Sequence, residues 1–391
     1  MRKKIFIILI LFTLLLNFSS CKNIKNKFIL FSSKGDFFIL DENLNLIKKI
    51  QKNLSGKALI SEVNGDMVLF NLQSEDQQKN GIFLLNLDSE ELTNISEGIE
   101  GKFLYNPKFY DNEYVLFSVR DKNMFESLYI YSLKEKNLKN ISKDIKASYI
   151  YPIFIDDKNK KIYIHLLKEK ENHSQIALYD LTKDELTENY ISFDNNFFIA
   201  DSNENGEFII INYDIKNIKQ KIQIVNLTNN EFKNIFEIKN GDIYNPIFSL
   251  ELNEVIFKLI PSNKGAKQSI LIIDRNGKVL KEILSPFDSD FYIMKSKGDL
   301  IFIMAQEKGE IKYKLYSLNK EKENINELIS TNKFFGGDLL ISKTKDKIMI
   351  SEFQDNISNK DYIIMNSDGN KKENINKKLN IDKIDSIIFL K

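Results

Sequence analysis

One pattern of apolar and polar positions recurs along the chain. Two to four apolar residues run into Asp, Asn or Ser, a few polar residues follow, and a second apolar pair closes the unit. It reads Phe37-Phe-Ile-Leu-Asp41, Ile82-Phe-Leu-Leu-Asn86, Leu128-Tyr-Ile-Tyr-Ser132 and Ile176-Ala-Leu-Tyr-Asp180 in the first half. It returns as Ile222-Gln-Ile-Val-Asn226, Ile270-Leu-Ile-Ile-Asp274, Lys314-Leu-Tyr-Ser317 and Tyr362-Ile-Ile-Met-Asn366. The anchors 41, 86, 132, 180, 226, 274, 317 and 366 are separated by 45, 46, 48, 46, 48, 43 and 49 residues. A near-constant period of this size marks a repeat architecture, in which each unit buries its apolar face against the next.

Each unit carries strand chemistry. In the fourth, Tyr151-Pro-Ile-Phe-Ile155, Lys161-Ile-Tyr-Ile-His-Leu166, Gln175-Ile-Ala-Leu-Tyr179 and Glu185-Leu-Thr-Glu-Asn-Tyr-Ile191 are rich in β-branched and aromatic residues. They are separated by polar turns. Four short strands per unit of about 46 residues predict an all-β fold, a β-propeller of four-stranded antiparallel blades. Eight blades are expected, with seven as the alternative count. Three of the five prolines fall at a shared position, Pro107-Lys-Phe109, Pro152-Ile-Phe154 and Pro246-Ile-Phe248, where no ladder donor is required. The segment Phe28-Ile-Leu-Phe31 matches the second strand of a unit, and Asp385-Ser-Ile-Ile-Phe-Leu-Lys391 matches the first. The terminal strands are therefore expected to pair within one blade, closing the ring and hiding strand edges. Residues 28–391 are read as one propeller domain.

The N-terminus follows a different pattern. Arg2, Lys3 and Lys4 precede an apolar run, Ile5 to Leu16, too short to span a hydrocarbon core of about 30 Å. Ser19 and Ser20 then precede Cys21, the only cysteine. This resembles a bacterial lipoprotein signal, with an ordinary secretory signal and an incidental cysteine as the alternative. The resemblance implies cleavage after residue 20, diacylglycerol and palmitate on Cys21, a lipid-anchored tether over 21–27, and a place in the cell envelope. Lys22, rather than Asp, favours by the enterobacterial sorting rule the periplasmic face of the outer membrane over the inner membrane or the cell surface. With Cys21 acylated, no disulfide is available and packing alone must hold the fold.

Charge narrows the function classes. The 56 basic and 55 acidic residues balance, which gives no support to nucleic-acid binding. Arginine occurs only at positions 2, 120 and 275, so bidentate phosphate or base recognition has little material. His165 lies in a strand and His173 in a polar loop, neither with partners at metal-ligand spacing, so structural or surface roles are expected. No Gly-x-Ser-x-Gly, phosphate-binding glycine loop or dinucleotide fingerprint occurs. The absence of Trp argues against a quinone-cofactor dehydrogenase and weakens a sugar-binding reading. The acidic pairs Asp156-Asp157 and Glu90-Glu91 are read as turns rather than calcium ligands, and the anchor Asp and Asn residues as acceptors for turn backbone donors. No catalytic, cofactor-binding or metal-ligating residue is assigned, and Cys21 is the one modification site.

The pieces Pro152-Ile-Phe, Asp156-Asp-Lys-Asn-Lys, Lys161-Ile-Tyr-Ile, Gln175-Ile-Ala-Leu-Tyr-Asp180 and Glu185-Leu-Thr187 resemble the repeats of TolB-type propellers. An acylated eight-bladed ring of this length also resembles BamB, a lipoprotein of outer-membrane protein assembly. The resemblances imply a non-enzymatic, lipid-anchored interaction scaffold whose partners are envelope proteins, with the β-barrel assembly machinery as the concrete candidate. Two alternatives stand beside it. One is a propeller enzyme or small-ligand binder using the central channel, and the other is a surface lipoprotein contacting host molecules.

Overall fold

The computed structural model describes residues 28–390, except 77–78, 100–102, 111, 169–174, 193–196, 204, 215–218, 240, 250–252, 264, 288, 307–311, 337–338, 343, 345 and 354–358. The expected signal segment 1–20, Cys21, the tether to residue 27, and His173 lie outside the described residues.

Among the described residues, thirty-two strands form eight antiparallel units of four. We name the strands of each unit a to d from the channel outward. The a strands are Ser386–Phe389 in blade 1, then Lys57–Asn64, Phe103–Tyr110, Ala147–Asp156, Phe197–Ser202, Gly241–Ser249, Phe291–Lys297 and Leu340–Ile341 in blades 2 to 8. Blades 3 and 4 are further linked by one ladder pair, Glu126 with Ala147. The sole helix among the described residues, Ile375–Leu379, follows the two-residue outer strand of blade 8.

Blade 1 is assembled from both ends of the chain. Strand b, Ile29–Ser33, pairs with Asp36–Leu40 on one side and with Ser386–Phe389 on the other. Ladder pairs run from Ile29 with Phe389 to Ser32 with Ser386. The backbone N–H of Leu390 donates to Phe28 and that of Asp385 to Ser32, extending the seam at both ends.

The core is divided among the blade interfaces, because each sheet is apolar on both faces. Among the described residues, one hydrophobic cluster lies between each neighbouring pair of blades, eight in all. Phe37 and Phe70 meet between blades 1 and 2, Phe117 and Leu84 between 2 and 3, and Ile130 and Ile164 between 3 and 4. Tyr163 and Phe208 join blades 4 and 5, and Ile224 and Phe257 join 5 and 6. Ile272 and Ile303 join 6 and 7, Phe302 and Ile350 join 7 and 8, and Tyr362 and Phe31 complete the circle.

The polar anchors end strand c and shape the turn into strand d. Side-chain oxygens of Asp41, Asn86, Ser132, Asp180, Asn226 and Asp274 each accept a backbone N–H two or three residues on. In blade 7 the residue in this role is Asn319, which accepts from the N–H of Lys322, rather than Ser317. Asn319 pairs with Leu300, the first residue of strand b, as Asp274 pairs with Glu254. The apolar run of blade 7 extends through Leu318, which displaces the sequence anchor by two residues and makes the last spacings more even.

The prolines mark a repeated bulge. In blades 2 to 7 strand a carries a register shift at one level: between Ile60 and Glu62, Tyr105 and Lys108, Pro152 and Phe154, Ile199 and Asp201, Tyr244 and Ile247, and Ile293 and Lys295. Pro107 and Pro246 take the second bulge position, where no ladder donor is needed. Pro152 takes the first, one place earlier than the sequence alignment puts it. The residues before Pro107 and Pro246 are Asn106 and Asn245, at φ 53° and 46°. Asparagine tolerates this left-handed conformation better than most residues.

Candidate functional site

Antiparallel order sorts the connections onto two faces. The a–b and c–d turns, which include the anchors, form one face, here the turn face. The b–c loops and the d–a links form the other, the loop face, and every a strand starts there. Phe28 donates to the carbonyl of Leu40 beside the first c–d turn, so the described chain begins at the turn face, one strand from the channel.

The first halves of the a strands build the loop-face mouth. Counting from the bulge, one register holds Leu59, Tyr105, Tyr151, Phe198, Tyr244 and Tyr292. Phe198 is 66% exposed, Tyr244 47% and Tyr292 46%. Tyr105 and Tyr151 are more enclosed, lying beside Arg120 and Lys108 at 5.5 and 4.9 Å from the ring centroids. Burial raises the hydroxyl pKa of Tyr105 above its ordinary value. Phe103 and Phe334 stand exposed where the chain enters the a strands of blades 3 and 8, and Met124 and Tyr213 add to the same face. Among the described residues, no exposed large hydrophobic lies in an a–b or c–d turn, although Leu46, Ile47, Phe232, Val279 and Leu280 stand exposed where outer strands leave the c–d turns.

Below the aromatic register the channel is lopsided. The bulge residues Ala200, Pro246, Met294 and the equivalent Leu339 line a cavity of about 400 Å³ with Phe198, Tyr292 and Met304. Just beneath, the level after the bulge mixes the charged Glu62, Lys108, Asp201 and Lys295 with the apolar Phe154 and Ile247. The Glu62 carboxylate accepts the N–H of Phe109 at 2.7 Å, and that of Asp201 accepts the N–H of Phe248 at 2.7 Å. Each thereby ties its blade to the next. Burial raises the pKa of Asp201 despite these bonds.

A second set of bonds ties strand b of one blade to strand a of the next. Ser32, Asn71 and Ser118 donate to the carbonyls of Ala58, Leu104 and Ile150. At the equivalent place in blade 6 stands Lys258, donating to Phe291 at 3.0 Å and ion-paired with Asp290. In blade 4 the place is held by His165, packed between Tyr149 and Phe197 at 5.3 Å from each. Its Nε2 is buried without a partner, and burial lowers its pKa to about 4. His165 is therefore packed among rings, the structural one of the two roles expected for it.

One member of each acidic pair has a defined partner in or beside its turn. Asp156 accepts from the backbone and side chain of Asn159, and Glu90 pairs with Lys48 at 3.0 Å. Among the described residues no group of three or more His, Cys, Asp or Glu could hold a metal ion. The aromatic register repeats with the period of the anchors and was open to view in the sequence. Lys258 could have been flagged as a charge inside the apolar run Val255-Ile-Phe-Lys-Leu-Ile260.

No protein family matches the chain, and no curated protein does. Solved structures do. The chain is a β-propeller. Dipeptidyl peptidase 4 from Porphyromonas gingivalis superposes at a TM-score of 0.65 and 12% identity, over 91% of this chain and 60% of that one. Oligopeptidase B from Leishmania major gives 0.61 at 8% identity, over 85% and 49%. The propeller domain of the Trilobed protease from Pyrococcus furiosus gives 0.54 at 14%, over 82% and 96%. That domain is described as having an open velcro topology, whereas here strand pairing shuts the ring. TolB from Acinetobacter baumannii superposes more weakly, at 0.41 and 15% identity over 83% and 85%. The chain spans about half to three-fifths of the length of the two larger peptidases, and what is shared at these identities is the fold.

Proposed function

We propose that the chain is a non-enzymatic, lipid-anchored interaction scaffold of the bacterial envelope, docking partner polypeptides at its loop-face mouth. One observation carries the reading: of the seven exposed aromatics among the described residues all but Phe232 lie toward the loop face, while the described chain begins at Phe28 on the turn face. Exposed aromatic side chains over an apolar cavity are the usual material of a protein-binding hot spot. A tether from Cys21 to Phe28 can reach at most roughly 20 to 25 Å at about 3.5 Å per residue. An acyl anchor at its end keeps the turn face toward the bilayer and the mouth toward the periplasm. The concrete version is an accessory role in outer-membrane protein assembly.

A photo-crosslinking residue placed in cells at Phe198 or Tyr292, with the turn residue Asn229 as control, tests this. The expected result is an envelope protein captured from the mouth positions alone, with β-barrel assembly components among the products. Equal capture from the turn face overturns the docking reading, and capture that excludes those components overturns the assembly role. C21A is expected to lose acyl labelling and leave the membrane fraction, and a variant that stays there overturns the anchor.

The 400 Å³ cavity favours one second reading, a small apolar ligand in the channel. Co-purification of such a ligand that F198A abolishes would support it over a polypeptide.

A further inference from the structure

Lys258 is out of proportion to its structural task. At the equivalent places in blades 1 to 3 a hydroxyl or an amide suffices to satisfy the carbonyl of the next blade. Blade 6 uses an ammonium that is 2% exposed. Removing such a charge from water is costly, and a neutral donor would tie the blades without that cost. The ammonium lies 5.5 Å from the ring of Tyr244, 4.9 Å from Phe291 and 5.6 Å from Tyr292. Its counter-ion, Asp290, belongs to the segment leading into strand a of blade 7, and its side chain is 56% exposed. The cation is thus buried only to the depth of half-exposed side chains. Tyr292 stands over it and also lines the apolar cavity.

We infer that Lys258 is a carboxylate-binding residue of the mouth, and that the segment docked there is a linear peptide with an acidic residue beside an apolar one. The apolar side chain fills the cavity between Phe198, Met294 and Met304. The carboxylate takes the place of Asp290 at the Lys258 ammonium, walled by Tyr244 and Tyr292. Asp290 is then an internal competitor, holding the site until an acidic segment arrives. This rests on the reading of the mouth as a peptide-docking face.

Opposite effects of two substitutions test it. Phage-displayed random linear 12-mers are selected on the full chain and on K258Q, D290N and F198A. The best wild-type peptide and its Asp→Asn or Glu→Gln analogue are then titrated by fluorescence anisotropy. Wild type is expected to enrich an acidic residue within two positions of an aromatic or aliphatic one. K258Q, which keeps a donor for the Phe291 carbonyl, should lose that preference and bind the acidic peptide about tenfold or more weakly. D290N should bind it several-fold more tightly. A merely structural ion pair predicts that both substitutions weaken binding or that neither matters, and either result overturns the inference. If K258Q does not fold, D290N decides alone: tighter binding supports the inference, and unchanged or weaker binding overturns it. Apolar peptides lost in F198A but without acidic preference overturn the role of Lys258 and leave the docking face standing. No enrichment on wild type overturns both.

Discussion

Single residues in this ring are read most clearly where they depart from their equivalents in other blades. His165 fills a place that in blades 1, 2, 3 and 6 holds a blade-linking donor, and its imidazole is enclosed by aromatic rings. Its pKa falls from 6.5 to about 4, so the unfolded chain takes up a proton that the native ring refuses. Its contribution is fully present above pH 6.5 and is lost as pH falls toward 4. The loss amounts to about 3 kcal/mol. H165F should therefore flatten the stability difference between pH 7 and pH 4.5 in parallel urea titrations, and an unchanged difference would exclude His165 as its source. Asn245 is special in its backbone. At φ 46° a β-branched residue is strained, so N245V should cost about 1–2 kcal/mol while N245G stays near neutral. Thermal melts of both variants would check this. The sequence exposed Asn245 only as the residue before a proline, because backbone angle leaves no mark of its own in residue type.

At the scale of elements, the four-strand unit was legible because its apolar runs, its anchors and its period agree. The seventh anchor was misplaced because Ser317 and Asn319 are both acceptable turn formers, and only the ladder with Leu300 separates them. The bulge was hidden for a similar reason. An extra residue changes pairing without changing composition, and prolines flag it in only three blades of six. The closing strand was legible from the order of the terminal runs. Ile387, 7% exposed, and Leu390, 9% exposed, pack into the clusters on either side of blade 1. Truncation after residue 385 should cost on the order of 5 kcal/mol or more from the lost burial. It also bares the edge of Ile29–Ser33 as a site for self-association. Calorimetry and light scattering would measure both effects, and a truncated chain with an unchanged melt would show that the seam does not hold the ring.

The whole molecule has no central core. Its stability is distributed over eight interfaces, so no blade can bury both faces without its neighbours. Phe302 is fully buried between blades 7 and 8, on the side of the ring adjoining the seam. F302A should cost about 3–5 kcal/mol and lower the midpoint of one shared unfolding transition. Separate transitions for the seam and the remaining blades would contradict a closed, cooperative ring. At this scale the candidate site was only half visible in sequence. The aromatic register could be counted, but the cavity and the Lys258 site depend on which blades face each other across an interface. Closure has one more consequence, a mechanical one. A pull on the chain at Phe28 runs along the axis of Ile29–Ser33, a strand flanked by ladders on both sides. Those hydrogen bonds are then loaded together in shear instead of being peeled apart one by one. If the chain is anchored through Cys21 as proposed, Ile29–Ser33 is thus the strand that takes the load between the anchor and a docked partner.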